Sequence, residues 1–176
     1  MPLRQQNDYA MSKYVNEQQI MNFEQRYGNQ CVRLRFFNSY GPGEYYHSFR
    51  SVCALFCYRA LKGLPYEVYE GYSRAFMFIE DFIPTLANVC DNFKAGEVYN
   101  IGGSEYRSVR ELSDIVLNEV QRGDKLVTYL AEDKHNTVRK RPDNTKAERD
   151  FGHAPKVTLE EGIPKTIEWM RKVYGL

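Results

Sequence analysis

Segments with a two-residue apolar period alternate with segments of helical period along this chain, which confines it to an α/β architecture with parallel strands. Cys31 to Phe37 sets Val32, Leu34 and Phe36 against Arg33 and Arg35, a strand with two unlike faces. Glu97 to Ile101 is a second strand, closed by Gly102 and Gly103. Before the first lies a predicted helix over residues 7–27, with apolar side chains at Tyr9, Ala10, Tyr14, Val15, Ile20, Met21 and Phe23. Asn7 or Asp8 can cap its start and Gly28 its end. A second helix is predicted over Arg50 to Leu61, ending before Gly63 and Pro65. Tyr66 to Tyr69 and Ala75 to Ile79 read as short aromatic strands around a turn at Gly71, and residues 80–92 read as a helix. Ser108 to Glu111 and Thr158 to Glu161 match capping boxes, each opening a run of apolar residues at helical spacing. Pro164 falls inside the last run and is expected to kink that helix or delay its start. Parallel strands normally belong to larger sheets covered on both faces, so two sheet strands read as part of a larger sheet.

At 176 residues and 20.7 kDa the chain has the size of about one domain. Its apolar share of 43% suffices for a core. Twenty-four basic against 23 acidic residues give a net charge of +1, which argues against a dedicated nucleic-acid binder. The longest apolar run, Val52 to Tyr58, is far short of the roughly 20 residues of a membrane span. Neither a secretory core nor a paired cysteine framework is evident, so a cytoplasmic location is expected. Cys53 and Cys57 stand four apart with no third ligand, an unpromising metal site. His47, His135 and His153 have no partner spacing and are expected at the surface or in a substrate loop, as is the Tyr45-Tyr46-His47 run.

Tyr9-Ala-Met-Ser-Lys13 carries the sharpest chemistry. Positions four apart on a helix share a face, so the phenol and the ammonium can enter one cleft. A phenol with pKa near 10 is a poor base at neutral pH. Lowering it to about 7 needs roughly 4 kcal/mol of phenolate stabilisation, which a neighbouring cation in a desolvated site can supply.

Tyr9 to Lys13 is followed in order by Arg-Phe-Phe-Asn38-Ser-Tyr-Gly-Pro-Gly43, Arg74-Ala-Phe-Met-Phe-Ile-Glu-Asp81, Tyr99-Asn-Ile-Gly-Gly103 and Asp143-Asn-Thr-Lys-Ala147. Over essentially its whole length this series resembles the C-terminal half of the extended short-chain dehydrogenase/reductase family, the NAD-dependent nucleotide-sugar epimerases, dehydratases and decarboxylases. The resemblance implies a fold made of the C-terminal remnant of a Rossmann-type parallel sheet plus a smaller α/β nucleotide-sugar-binding domain. It divides the chain into residues 1–45, ending the Rossmann domain, and 46–176, the substrate domain, with roughly 75–103 returning to the sheet. It makes Tyr9 the acid/base at the sugar O4 and Lys13 the group that holds the nicotinamide ribose, both in contact with NAD. Asn38 and Tyr40 would bind substrate, and Arg74 would grip the diphosphate, a task suited to a guanidinium. Arg139 and Arg141 each stand between completing that clamp and a solvated basic turn.

The implied substrate is a UDP-, dTDP- or GDP-sugar processed through a 4-keto intermediate, and a homodimer is expected. Epimerase or dehydratase chemistry is the default. The Arg74-Ala-Phe segment and the Lys-Arg-Pro-Asp run look closer to the decarboxylases, and a non-catalytic binding or dimerisation fragment is the other alternative. No G-x-x-G-x-x-G turn occurs, nor does the Ser or Thr that partners the tyrosine upstream. The dinucleotide-binding N-terminal half is therefore expected to lie outside this chain, leaving it with little affinity for NAD by itself.

Overall fold

The computed structural model describes residues 7–131 and 137–176; His135 lies outside them. In chain order the elements are α1 (Asp8–Tyr27), β1 (Arg33–Phe37), β2 (Ser39–Tyr40), α2 (Val52–Lys62), β3 (Tyr66–Tyr69), β4 (Ser73–Ala75), β5 (Met77–Phe78), α3 (Ile79–Asp91), β6 (Val98–Gly102), β7 (Tyr106–Ser108), α4 (Val109–Glu119), β8 (Val127–Leu130), β9 (Arg139–Lys140), α5 (Thr145–Phe151) and α6 (Leu159–Tyr174). The result is the expected α/β fold with small parallel sheets. β1 pairs with β6 in parallel, from Arg33 opposite Val98 to Phe37 opposite Gly102. β2 pairs with β5 and β3 with β8, also in parallel. β4 is flanked by antiparallel β7 and parallel β9.

The aromatic stretch at 75–79 is not one strand. Arg74 and Ala75 pair with β7, whereas Met77 and Phe78 pair with β2. The chain changes sheets at Phe76, and Ile79 already begins α3. Pro164 does not delay α6, which starts at Leu159 under a complete Thr158/Glu161 capping box and continues past the proline to Tyr174. The box satisfies the first-turn donors, so it fixes the start and the proline removes only one later hydrogen bond. The pattern reading missed β8 and α5.

Two apolar cores result. α2, α4, α6 and β3 enclose the larger, with Phe56, Val68, Leu112, Val116, Ile163 and Met170 in its interior. The smaller joins Met77, Phe82, Val89, Tyr99, Ile101 and Phe151 around β6, α3 and α5. Cys53 and Cys57 are packed in the larger core, where burial pushes both thiols up. The expectation for His153 is corrected. It is 2% exposed, with Nδ1 2.8 Å from Thr85 Oγ1 and Nε2 2.8 Å from the Gly102 carbonyl oxygen. A carbonyl can only accept, so Nε2 carries a proton and the ring joins α3 to the end of β6.

α1 belongs to neither core and has no buried residue. It is capped as expected, the Asn7 side chain accepting from the Ala10 N–H and Gly28 ending it in the left-handed region. Two polar contacts tie it, in antiparallel sense, to β1 and the residues just before it. Glu24 accepts the Cys31 N–H, and Glu17 receives a two-pronged ion pair from Arg35 at 2.6 and 2.7 Å.

Candidate functional site

The site begins where β1 ends. Asn38 has φ 43°, a left-handed conformation that asparagine tolerates better than most residues, and its carbonyl accepts the Met77 N–H. This turn directs the chain into β2 and the Gly41-Pro42-Gly43 loop, at the carboxyl end of a parallel pair, where open α/β sheets bind ligands.

Asn38 and Arg74 line one hollow of about 260 Å³, together with Arg50, Glu67, Tyr69, Tyr72 and the apolar side chains of Val52, Phe56 and Val109. Arg74 is 7% exposed. One guanidinium nitrogen donates to the Ser73 and Val138 carbonyls at 2.8 Å, and the charge lies 5.1 Å from the Tyr72 ring centre. Among the described residues no carboxylate pairs with it, and burial lowers its pKa. Lys140 stands opposite Arg74 in the parallel register, its pKa lowered by burial and then by Arg74. Two cations held together with no carboxylate partner among the described residues suit a polyanionic group. Glu67 and the Tyr69 ring, which is 40% exposed, add an acceptor and a stacking face.

A second hollow of about 410 Å³ lies beside the first, lined by Ser39, Tyr40, Gly41, Pro42, Gly43, Glu44, Arg50 and Ile79. Tyr40 lines it, yet its hydroxyl is turned to α6 and donates to the Thr158 carbonyl. In the Tyr45-Tyr46-His47 run Tyr45 and His47 are exposed and Tyr46 is half-buried. Tyr46 stacks on Tyr58 with ring centres 4.0 Å apart, and Tyr45 meets Trp169 edge-on.

Tyr9 and Lys13 line neither hollow. Tyr9 is 68% exposed, and the Lys13 Nζ lies 5.4 Å from the Tyr9 ring centre, so the pair shares a face. From Glu17 back to Tyr9 the helix rises about 12 Å, and from Arg35 to Asn38 the strand advances about 10 Å. The antiparallel packing of α1 on β1 therefore carries Tyr9 to the end of the strand where Asn38 sits. Arg139 is exposed on β9, and the Arg141 guanidinium lies 5.8 Å from the Tyr106 ring centre; neither lines a hollow. Arg50 and Glu67, which line the first hollow, were missed as site residues, and Lys140, which lines neither hollow, was read only as part of the Arg139–Arg141 run. Only Lys140, inside the Arg139–Arg141 run, carried a local signal.

With this geometry in view, the relatives are informative. The sequence matches the NAD dependent epimerase/dehydratase family over residues 1–102, more than half of the chain, and the chain belongs to that family. It is 29% identical over 170 residues to a dTDP-glucose 4,6-dehydratase of Salmonella typhimurium, covering 92% of this chain and 46% of the relative. The crystal structure of a dTDP-glucose 4,6-dehydratase from Streptomyces venezuelae with NAD bound superposes with a TM-score of 0.87 at 29% identity, over 99% of this chain and 54% of that one. A Thermus thermophilus UDP-glucose 4-epimerase complex with NAD gives a TM-score of 0.83 at 30% identity, over 97% and 56%. The chain thus spans about half the length of the relatives it matches. Among the described residues no helix is long and apolar enough to cross a membrane.

Proposed function

We propose that this chain is the substrate-binding part of an NAD-dependent nucleotide-sugar epimerase or dehydratase that works through a 4-keto sugar. The observation that carries the reading is the convergence of Asn38, Arg50, Arg74 and an aromatic wall in one hollow, on a chain whose relatives include a dTDP-glucose 4,6-dehydratase and a UDP-glucose 4-epimerase. In this reading the nucleoside lies against Tyr69 and Tyr72, Glu67 accepts from ribose or base, and Arg74 with Lys140 holds the diphosphate. The sugar then extends toward the second hollow and Tyr9.

Tyr9 takes the proton from the sugar O4, and Lys13, one helical turn on, favours its phenolate and holds the cofactor ribose. NAD, when bound, supplies the hydride acceptor. The Gly-rich turn is absent from this sequence, so tight NAD binding requires a dinucleotide-binding half. The side chains that α1 leaves exposed, among them Met11, Val15, Met21 and Phe23, support association with that half or with a second copy as a homodimer. Four unpaired cysteines fit a reducing, cytoplasmic setting. UDP- and dTDP-sugars are the favoured substrates, with a GDP-sugar less supported by the relatives.

The test is turnover of UDP- and dTDP-glucose by this chain mixed with the dinucleotide-binding half of a relative. Restored turnover that Tyr9→Phe lowers at least about a hundredfold supports the reading. Saturable sugar-nucleotide binding that never yields turnover would point instead to a binding module.

A further inference from the structure

Tyr9, Lys13 and Glu17 stand at four-residue spacing, so one stripe of α1 carries a phenol, an ammonium and a carboxylate. A carboxylate one turn from a lysine is within its reach, yet here the two are not paired. The Lys13 Nζ lies 5.4 Å from the Tyr9 ring centre, and among the described residues no carboxylate engages it. Both Glu17 oxygens are taken from the other side, by Arg35 Nε at 2.7 Å and a second Arg35 nitrogen at 2.6 Å. Arg35 is fixed on β1, three residues before Asn38. Its planar fork fills both carboxylate oxygens at once and lowers the Glu17 pKa. The remaining charges on the two elements are placed elsewhere. Glu24 accepts the Cys31 N–H, Arg33 donates to the Gly96 carbonyl, Arg26 lies over the Tyr27 ring, and Asp8 stands in the first turn of α1.

Without Arg35, Glu17 would be a free carboxylate one turn from Lys13. Pairing with it would draw the ammonium along the helix, away from Tyr9, and offset its charge. We propose that Arg35 is a positioning residue: it occupies Glu17 and so keeps the Lys13 ammonium free for Tyr9 and the cofactor. This rests on the proton-transfer role given to Tyr9 in the reading above. Arg35 does not act on Tyr9 by its own field. Glu17 already lies about 12 Å from Tyr9 along the helix, beyond the roughly 8 Å over which exposed charges act at physiological ionic strength.

The experiment is the pH dependence of kcat for UDP- and dTDP-glucose, measured at about 0.15 M salt on this chain complemented with the dinucleotide-binding half of a relative. Wild type is compared with Arg35→Gln, Glu17→Gln and the double variant. A neighbouring cation moves an acid by about one pH unit or more. In Arg35→Gln the rise of kcat with pH is therefore expected to move up by about one unit, with kcat at neutral pH about tenfold lower. Glu17→Gln and the double variant have no carboxylate at this position to capture Lys13, so their profiles are expected to keep the wild-type position. A purely structural tie predicts a different pattern, since all three variants lack the ion pair and would lose rate alike. An unmoved profile in Arg35→Gln, or a double variant shifted as far as Arg35→Gln, overturns the proposal. Should a thermal scan show Arg35→Gln unfolded, Arg35→Lys serves instead: it engages Glu17 without the fork and is expected to shift the profile less but in the same direction, and no shift overturns the proposal. Wild type that turns over neither sugar nucleotide overturns the nucleotide-sugar reading itself, and this inference with it.

Discussion

At Gly103 the fold leaves no room for a side chain. A Cβ there would stand 1.6 Å from the Phe76 carbonyl oxygen, at the point where the chain passes from β4 to β5. Backbone cannot move aside as a flexible side chain can, so Gly103→Ala is expected to cost about 3 kcal/mol or more, read from the shift of a urea unfolding curve. A second residue-scale expectation concerns Asp150. Its carboxyl accepts from Arg149 and from the Tyr99 hydroxyl at 2.8 Å, and these bonds lower its pKa from 3.8 to about 2. A carboxyl depressed in the folded state contributes stability above its unfolded pKa and loses it as pH falls through the folded one. The chain should therefore lose stability between about pH 4 and 2, and Asp150→Asn should flatten that limb in acid denaturation midpoints. That Tyr9 and Lys13 share a face was legible at this scale because it follows from helical spacing. The place of His153 was not, because its partners, Thr85 and Gly102, are far away in sequence.

Capping explains which elements could be located from sequence. Both capping boxes form as read, at Ser108/Glu111 and at Thr158/Glu161, because Ser or Thr with Glu three residues on satisfies donors within a single turn. Thr158→Ala is expected to destabilise by about 1 kcal/mol and to lower the melting temperature by about 2–4 °C in a thermal scan. The strand at 75–79 was misread for the opposite reason. Ala75 to Phe78 are uniformly buried, so periodicity contains no sign of the change of partner at Phe76. β8 likewise depends on pairing with β3 across 61 positions, Tyr66 with Val127, a relation that no local pattern encodes. The expected delay at Pro164 failed because the cap, rather than the proline, sets the helix start.

The molecule as a whole is unevenly anchored. α6 places Leu159, Ile163, Ile167 and Met170 in the larger core, whereas α1 only half-buries a face with Ala10, Tyr14 and Ile20 and leaves Tyr9, Met11, Val15, Met21, Phe23 and Tyr27 exposed. On the other side of β1, Phe36 is 49% exposed. Apolar surface left wet forfeits roughly 25 cal/mol per Å², so the α1–β1 unit stays weakly stabilised until something covers it. Hydrogen exchange should find amides of α1 at least about tenfold less protected than those of α2 and α6, and equal protection would contradict this. The β1–β6 pair was legible in the sequence from its two strands, while the hollow's wall of Tyr69, Tyr72 and Val109 was not, since these residues meet Asn38 and Arg74 only through the fold.

In the proposed reading the hollow lined by Asn38, Arg50, Arg74 and Tyr69 binds the nucleoside diphosphate moiety. The most direct test of that binding is titration of UDP and dTDP into the folded chain, comparing wild type with Arg74→Ala and with Tyr69→Ala on the partly exposed wall. The predicted result is saturable single-site binding of at least one nucleotide, weakened about tenfold or more in each folded variant. No binding of either nucleotide by folded wild type, or affinities untouched by both substitutions, would contradict it.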